Sequence, residues 1–124
     1  MEVPILKQGP LLITTIQNAL TDSDLLKLKD NLVELAGRHR SRGVIIDVAA
    51  LEVMDSFMSM MLRNITQVLK LRGADTIVIG IQPDVAFAMV QLGLNLEGLE
   101  AALDLEEAIA ILDGRFKEAR SNVR

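Results

Sequence analysis

Gly43-Val44-Ile45-Ile46-Asp47-Val48, continuing through Ala49-Ala50-Leu51-Glu52-Val53-Met54 into Asp55-Ser56-Phe57, is the stretch that decides the fold. Val44, Ile45, Ile46 and Val48 are β-branched and apolar without the in–out alternation of a half-exposed strand. The run therefore predicts a strand covered on both faces and central in its sheet. Such a strand needs helices above and below it, and the chain turns into one directly. From Asp55 to about Arg72, Met58, Met61, Leu62, Ile65 and Leu69 share one side of a helix, with Ser59, Arg63, Thr66 and Lys70 on the other.

Upstream, Ile5 to Lys7 and Leu11 to Ile16 are short apolar runs separated by Gly9-Pro10, which predicts a hairpin. Thr21-Asp22-Ser23-Asp24 then offers capping oxygens before Leu25, Leu28, Leu32 and Leu35, which recur at helical spacing. Downstream, a strand is expected over Thr76 to Ile81. Pro83 suits the first turn of a helix ending at Gly93, and a short stretch lies near Leu99 to Ala101. A last helix begins at Asp104 and is expected to stop near Gly114, leaving a frayed tail from Arg115. Strands alternating with helices after a hairpin give an α/β class: one domain with a mixed, mostly parallel sheet and about four helices.

At 124 residues and 50% hydrophobic, the chain is the size of one domain with one core. Its core is expected over residues 4–114. A net charge of -4 and three aromatic residues, Phe57, Phe87 and Phe116, argue against nucleic acid: phosphates need a positive surface, and unpaired bases need stacking platforms. With no cysteine there is no disulfide or thiolate metal site. No apolar run approaches the ~20 residues of a membrane span, so no membrane is implied and a cytoplasmic protein is expected.

Catalytic chemistry is hard to find. The single histidine, His39, lies in Arg38-His39-Arg40-Ser41-Arg42 at the end of the first helix, where cations suit the negative end of the helix dipole. There is no nucleophile–base constellation and no glycine-rich phosphate loop. Asp47, Glu52 and Asp55 are close enough in sequence to form an acidic cluster, but capping and solvated loop roles suit them better. No catalytic residue, metal ligand or cofactor is expected.

Ser56 remains. It falls in the first turn of the second helix, on the polar side, so its hydroxyl is expected to face solvent near unpaired backbone N–H groups and the positive end of the dipole. Residue types at this spacing are compatible with a phosphoacceptor, but an exposed serine at a helix start is most often an ordinary capping or solvated residue. The same helix carries extra apolar residues: Phe57, Met60, Val68 and Leu71 widen its apolar arc to roughly 200°. That width fits either a deeply wedged helix or an adaptable methionine-rich interface, for which Met54, Met58, Ser59 and Met60 are the candidates.

Gly43-Val44-Ile45-Ile46-Asp47-Val48, Met54-Asp55-Ser56-Phe57, Gly80-Ile81-Gln82-Pro83 and Gln91-Leu92-Gly93 together resemble the STAS family of anti-sigma-factor antagonists, and within it the short stressosome scaffolds. The resemblance runs from about Pro4 to Leu112. It implies that Ser56 is the phosphoacceptor, with Asp55 and Phe57 supporting it. It also implies a switch serine kinase of the RsbT type that is sequestered and then released on phosphorylation. The further partners implied are longer RsbR-type scaffold paralogues, a second copy of the chain within a large assembly, and a resetting phosphatase. RsbR-type relatives look to carry a second phosphoacceptor threonine just before Gly-Ile-Gln/Arg-Pro, where this chain has Ile79. One switch site is therefore expected, on a chain that relays a signal without an N-terminal sensor domain. The alternatives are a simpler antagonist that binds an anti-sigma-factor kinase outside any large assembly, and a small ligand-binding domain.

Overall fold

A computed structural model describes residues 2–93 and 98–122. The order is β1 (Ile5–Gln8), β2 (Leu11–Thr15), α1 (Asp22–His39), β3 (Gly43–Asp47), α2 (Ser56–Leu71), β4 (Asp75–Ile79), α3 (Pro83–Gln91), β5 (Glu100–Ala102) and α4 (Leu105–Asn122). The five strands form one sheet in the order β1-β2-β3-β4-β5. β1 pairs antiparallel with β2, through a turn in which Gly9 adopts φ 58°. β2, β3, β4 and β5 run parallel, so β3 is the central strand.

The uninterrupted apolar run of β3 is two alternating patterns superimposed. Val44, Ile46 and Val48 enter a large core with Leu25, Leu28, Leu32, Leu62, Ile65, Leu69, Val85 and Met89, from α1, α2 and α3. Ile45 faces the other way, joining Leu11, Ile77, Ile79, Ala108 and Leu112 beneath α4. Both faces of β3 are covered, which is why its run is apolar without alternation.

α1 opens with a capping box. The Asp24 N–H donates to Thr21 Oγ1 at 3.1 Å and the Thr21 N–H donates to Asp24 Oδ2 at 2.9 Å. The bond from the Thr21 backbone, first among its causes, lowers the Asp24 carboxyl from 3.8 to about 2.

The last helix differs from its expected length: α4 passes through Gly114 and reaches Asn122. Tertiary contacts outweigh the glycine's poor helix propensity. Phe116 packs against the α4-side core, with the Arg42 guanidinium 4.5 Å over its ring. Arg115 binds the Glu100 carboxylate through both terminal nitrogens, one at 2.8 Å, and reaches Asp75 at 3.6 Å. The tail expected to fray from Arg115 is helical through residue 122.

Candidate functional site

The parallel strands all end at one edge of the sheet, where the loops into α1, α2 and α3 meet. The β3–α2 loop, residues 48–55, is tied down along its length. Asp47 Oδ1 accepts from the Ala49 N–H at 2.9 Å, and the Leu51 N–H donates to Val48 O at 3.0 Å, tightening the first turn. From one side Asn18, in the β2–α1 loop, donates through Nδ2 to Ala50 O at 3.0 Å and accepts the Glu52 N–H at 3.2 Å. From the other side Gln82, just before α3, donates through Nε2 to Ala49 O at 2.7 Å. Leu51 and Met54 anchor the loop from below, 2% and 4% exposed.

Gly80 explains the glycine of Gly80-Ile81-Gln82-Pro83. Its φ is 78°, and a Cβ there would lie 2.9 Å from Ala49 Cβ and 3.1 Å from Asp47 Oδ1. Only a bare backbone lets the β4–α3 loop approach the β3–α2 loop closely enough for Gln82 to bond it.

The loop delivers Asp55 and Ser56 to the start of α2. Asp55 is the N-cap: its Oδ1 accepts the Met58 N–H at 2.8 Å, and the Ser59 N–H donates to Asp55 O at 3.1 Å. Ser56 is the first helical residue and is exposed, while Phe57 is half-buried against the larger core. The Asp55 carboxylate thus already occupies one of the free donors at this helix end. A second anion on Ser56 has to share what remains.

The candidate interface residues divide. Met54 is 4% exposed, Met58 9% and Ser59 2%, so these three form no surface in the folded domain. Met54 anchors the loop, and the buried arc of α2 holds all five residues of the expected apolar side, Met58, Met61, Leu62, Ile65 and Leu69, and widens to take in Ser59 and Thr66. The Thr66 hydroxyl makes that burial tolerable by donating to Leu62 O at 2.9 Å. Met60, 42% exposed, stays outside, with Ser56, Asn64, Gln67 and Leu71 on the same face. Asp47, Glu52 and Asp55 form no acidic centre: the first braces the loop, the second is exposed and the third caps α2. Among the described residues no group of three or more His, Asp or Glu is placed to hold a metal, and His39 is exposed at the far end of α1. Among the described residues no helix is long and apolar enough to cross a membrane.

This arrangement, a five-stranded mixed sheet presenting a serine at the start of α2, has relatives. The STAS domain matches residues 2–108. The chain belongs to the STAS family. A serine-to-glutamate variant of RsbS from Moorella thermoacetica superposes on this STAS domain with a TM-score of 0.80 at 31% identity, covering 94% of this chain and 99% of that one. A chain from a structure described as the molecular architecture of the stressosome, a signal integration and transduction hub, gives a TM-score of 0.76 at 32% identity, covering 90% and 96%. Among curated proteins, RsbT co-antagonist protein RsbRA from Bacillus subtilis (strain 168) is 26% identical over 91 residues, 65% of this chain and 33% of its own length. This STAS domain thus spans about a third of that longer relative, and it has the fold of the anti-sigma-factor antagonists.

Asn18 and Gln82, the two clamps of the Ser56 loop, were not singled out by sequence reasoning. Gln82 sits inside a motif that was noticed for its resemblance. Asn18 lies in an unpatterned loop and acts on residues more than thirty positions away, which local spacing does not reveal.

Proposed function

We propose that this STAS domain is a non-catalytic, cytoplasmic scaffold that retains a serine kinase of the RsbT type within a stressosome-like assembly and releases it when Ser56 is phosphorylated. The observation that carries the reading is the exposed Ser56 hydroxyl at the first position of α2, held out by a clamped loop, in a chain matched over 94% of its length by RsbS. The partners follow from that likeness: a second copy of the chain, longer RsbR-type paralogues and a resetting phosphatase.

The chemistry of the switch follows from the site. A phosphoryl group adds about 1.5 to 2 negative charges. The helix dipole returns about 0.3–1 kcal/mol to an anion at this position. Asp55 stands next to it with its carboxylate already on the Met58 N–H, so the new charge is directed outward instead of being absorbed by the helix end. The fold survives the modification, while the exposed face through Met60 acquires a dianion at its head. An apolar contact on that face cannot desolvate such a group.

The test is kinase retention on immobilised Ser56→Ala and Ser56→Asp variants, together with an RsbR-type paralogue and with circular dichroism on each. Ser56→Ala should hold the kinase before and after MgATP, and Ser56→Asp should fold and fail to hold it. Equal retention by two folded variants contradicts the switch. Retention without a large particle favours the simpler antagonist.

A further inference from the structure

Apolar surface is concentrated at one end of the sheet. α3 is apolar from Val85 through Val90, yet only Val85 and Met89 are buried. A helix that is apolar all round is ordinarily enclosed on all sides. Here Ala86, Phe87, Ala88 and Val90 face solvent, with Phe87 68% and Val90 74% exposed. Beside them lies β5, the end strand of the sheet, which pairs only with β4 among the described residues and leads into Leu103, 80% exposed. The opposite end strand, β1, is guarded by Lys7, whereas the charge on β5, Glu100, is drawn back to Arg115.

Between α3 and β5 the surface dips into an open crevice of about 350 Å³, lined by Ile81, Ala86, Ala101, Ala102, Leu103 and Glu107. Glu107 apart, the lining is aliphatic, and Glu107 is exposed, so its carboxylate stays hydrated. An apolar cavity of about 150 Å³ holds a benzene molecule, so the crevice has room for a phenyl group. Phe87, the residue after Ala86, is not part of that lining and presents its ring to solvent. A projecting ring and a hollow of its size, side by side on one surface, are the two halves of an isologous contact, in which each copy's knob enters the other's hollow.

We propose that a second copy of the chain docks here about a two-fold axis, with Phe87 of each copy entering the other's crevice and Val90 and Leu103 closing around it. Aromatic and aliphatic side chains at the centre of a contact, with charge kept to its rim, are the composition of a dimer interface. Apart from Glu107 the patch carries no charge that would oppose its own image. The choice of a second copy as occupant rests on the proposed function, which names it as a partner, and on knob and hollow belonging to the same chain.

The test is sedimentation velocity of the full chain over a range of concentrations, with circular dichroism on every variant. The wild-type chain should pass from one chain to two as concentration rises. Phe87→Ala removes the knob and Ala101→Glu blocks the hollow. Both positions are exposed, so both variants should fold, and each should raise the dimer Kd at least about ten-fold. Leu6→Glu, at an exposed leucine on β1, should leave it unchanged. An equimolar mixture of Phe87→Ala and Ala101→Glu restores one of the two contacts and should associate more tightly than either variant alone. Sedimentation involves neither the kinase nor phosphorylation of Ser56, so failure of this contact and failure of the switch are read separately. A chain that stays single at every concentration, a dimer that both variants leave intact, or a mixture no tighter than its components overturns the proposal; so does a face that is taken up only when a longer paralogue is added.

Discussion

Replacing Asn18 with alanine removes both bonds that tie the β2–α1 loop to the Ser56 loop, the donation to Ala50 O at 3.0 Å and the acceptance from the Glu52 N–H at 3.2 Å. A net hydrogen bond is worth about 0.5–1.5 kcal/mol, and these two are exposed, so water replaces much of what is lost. Taking the lower end of the range for each gives about 1 kcal/mol in total, a factor of about five in the equilibrium for opening the loop. The loss is local, because Leu51 and Met54 keep the loop seated and the strands beneath are untouched. Native-state hydrogen exchange reads it directly: the Glu52 amide should exchange about five-fold faster while the amides of β3 keep their rates. Gln82→Ala, which removes one bond to Ala49 O, should give about half the free-energy effect. An unchanged Glu52 amide, or an acceleration shared equally by β3, would refute the idea that Asn18 clamps this loop.

Gly80→Ala forces a Cβ onto a residue at φ 78° and against Ala49, so urea denaturation should show a loss of about 2 kcal/mol, far more than an exposed loop substitution costs. Phe116→Ala should cost about 2 kcal/mol, below the 3–5 of a fully buried ring because Phe116 is half-buried; a neutral effect in the same assay would mean that the end of α4 does not contribute to the core. In acid, Glu100 is held below its ordinary 4.5 by the hydrogen bond from Arg115, and Asp24 is held at about 2 by its bond from the Thr21 backbone. Both pKa values are depressed by folding, so their stabilisation is complete above their unfolded values of 4.5 and 3.8 and is lost as pH falls through the folded ones. The urea midpoint should therefore drop below pH 4.5, and Glu100→Gln should flatten only a small part of the drop, under about 1 kcal/mol, because that pair is solvent-screened.

The fold was legible because its deciding signals are local. Val44 through Val48 announced a doubly covered strand, Thr21 and Asp24 a helix start, and Gly9-Pro10 a hairpin, each within a few residues of its effect. The two departures arise where tertiary contact overrides local preference. Gly114 reads as a stop signal, but Arg115 and Phe116 find partners on Glu100 and in the α4-side core, and the helix continues. The widening of the buried face of α2 is of the same kind. Ser59 and Thr66 read as polar-face residues, yet the helix is wedged so that they are buried beside Met58, and Met54, a candidate for the interface, goes inward as well. Ser56, Asp55 and Phe57 were legible as a helix start with an exposed hydroxyl. Their clamps were not, since they come from loops brought together only by the sheet.

The most direct measurement is intact and tryptic mass spectrometry of the chain after incubation with an RsbT-type kinase, MgATP and an RsbR-type paralogue, beside a Ser56→Ala control. A single added phosphate on the peptide containing Ser56, absent from the control and accompanied by loss of the bound kinase, is the expected result. An unmodified Ser56 under conditions in which the paralogue is phosphorylated, or a phosphate that persists in the Ser56→Ala control, would contradict the proposed switch.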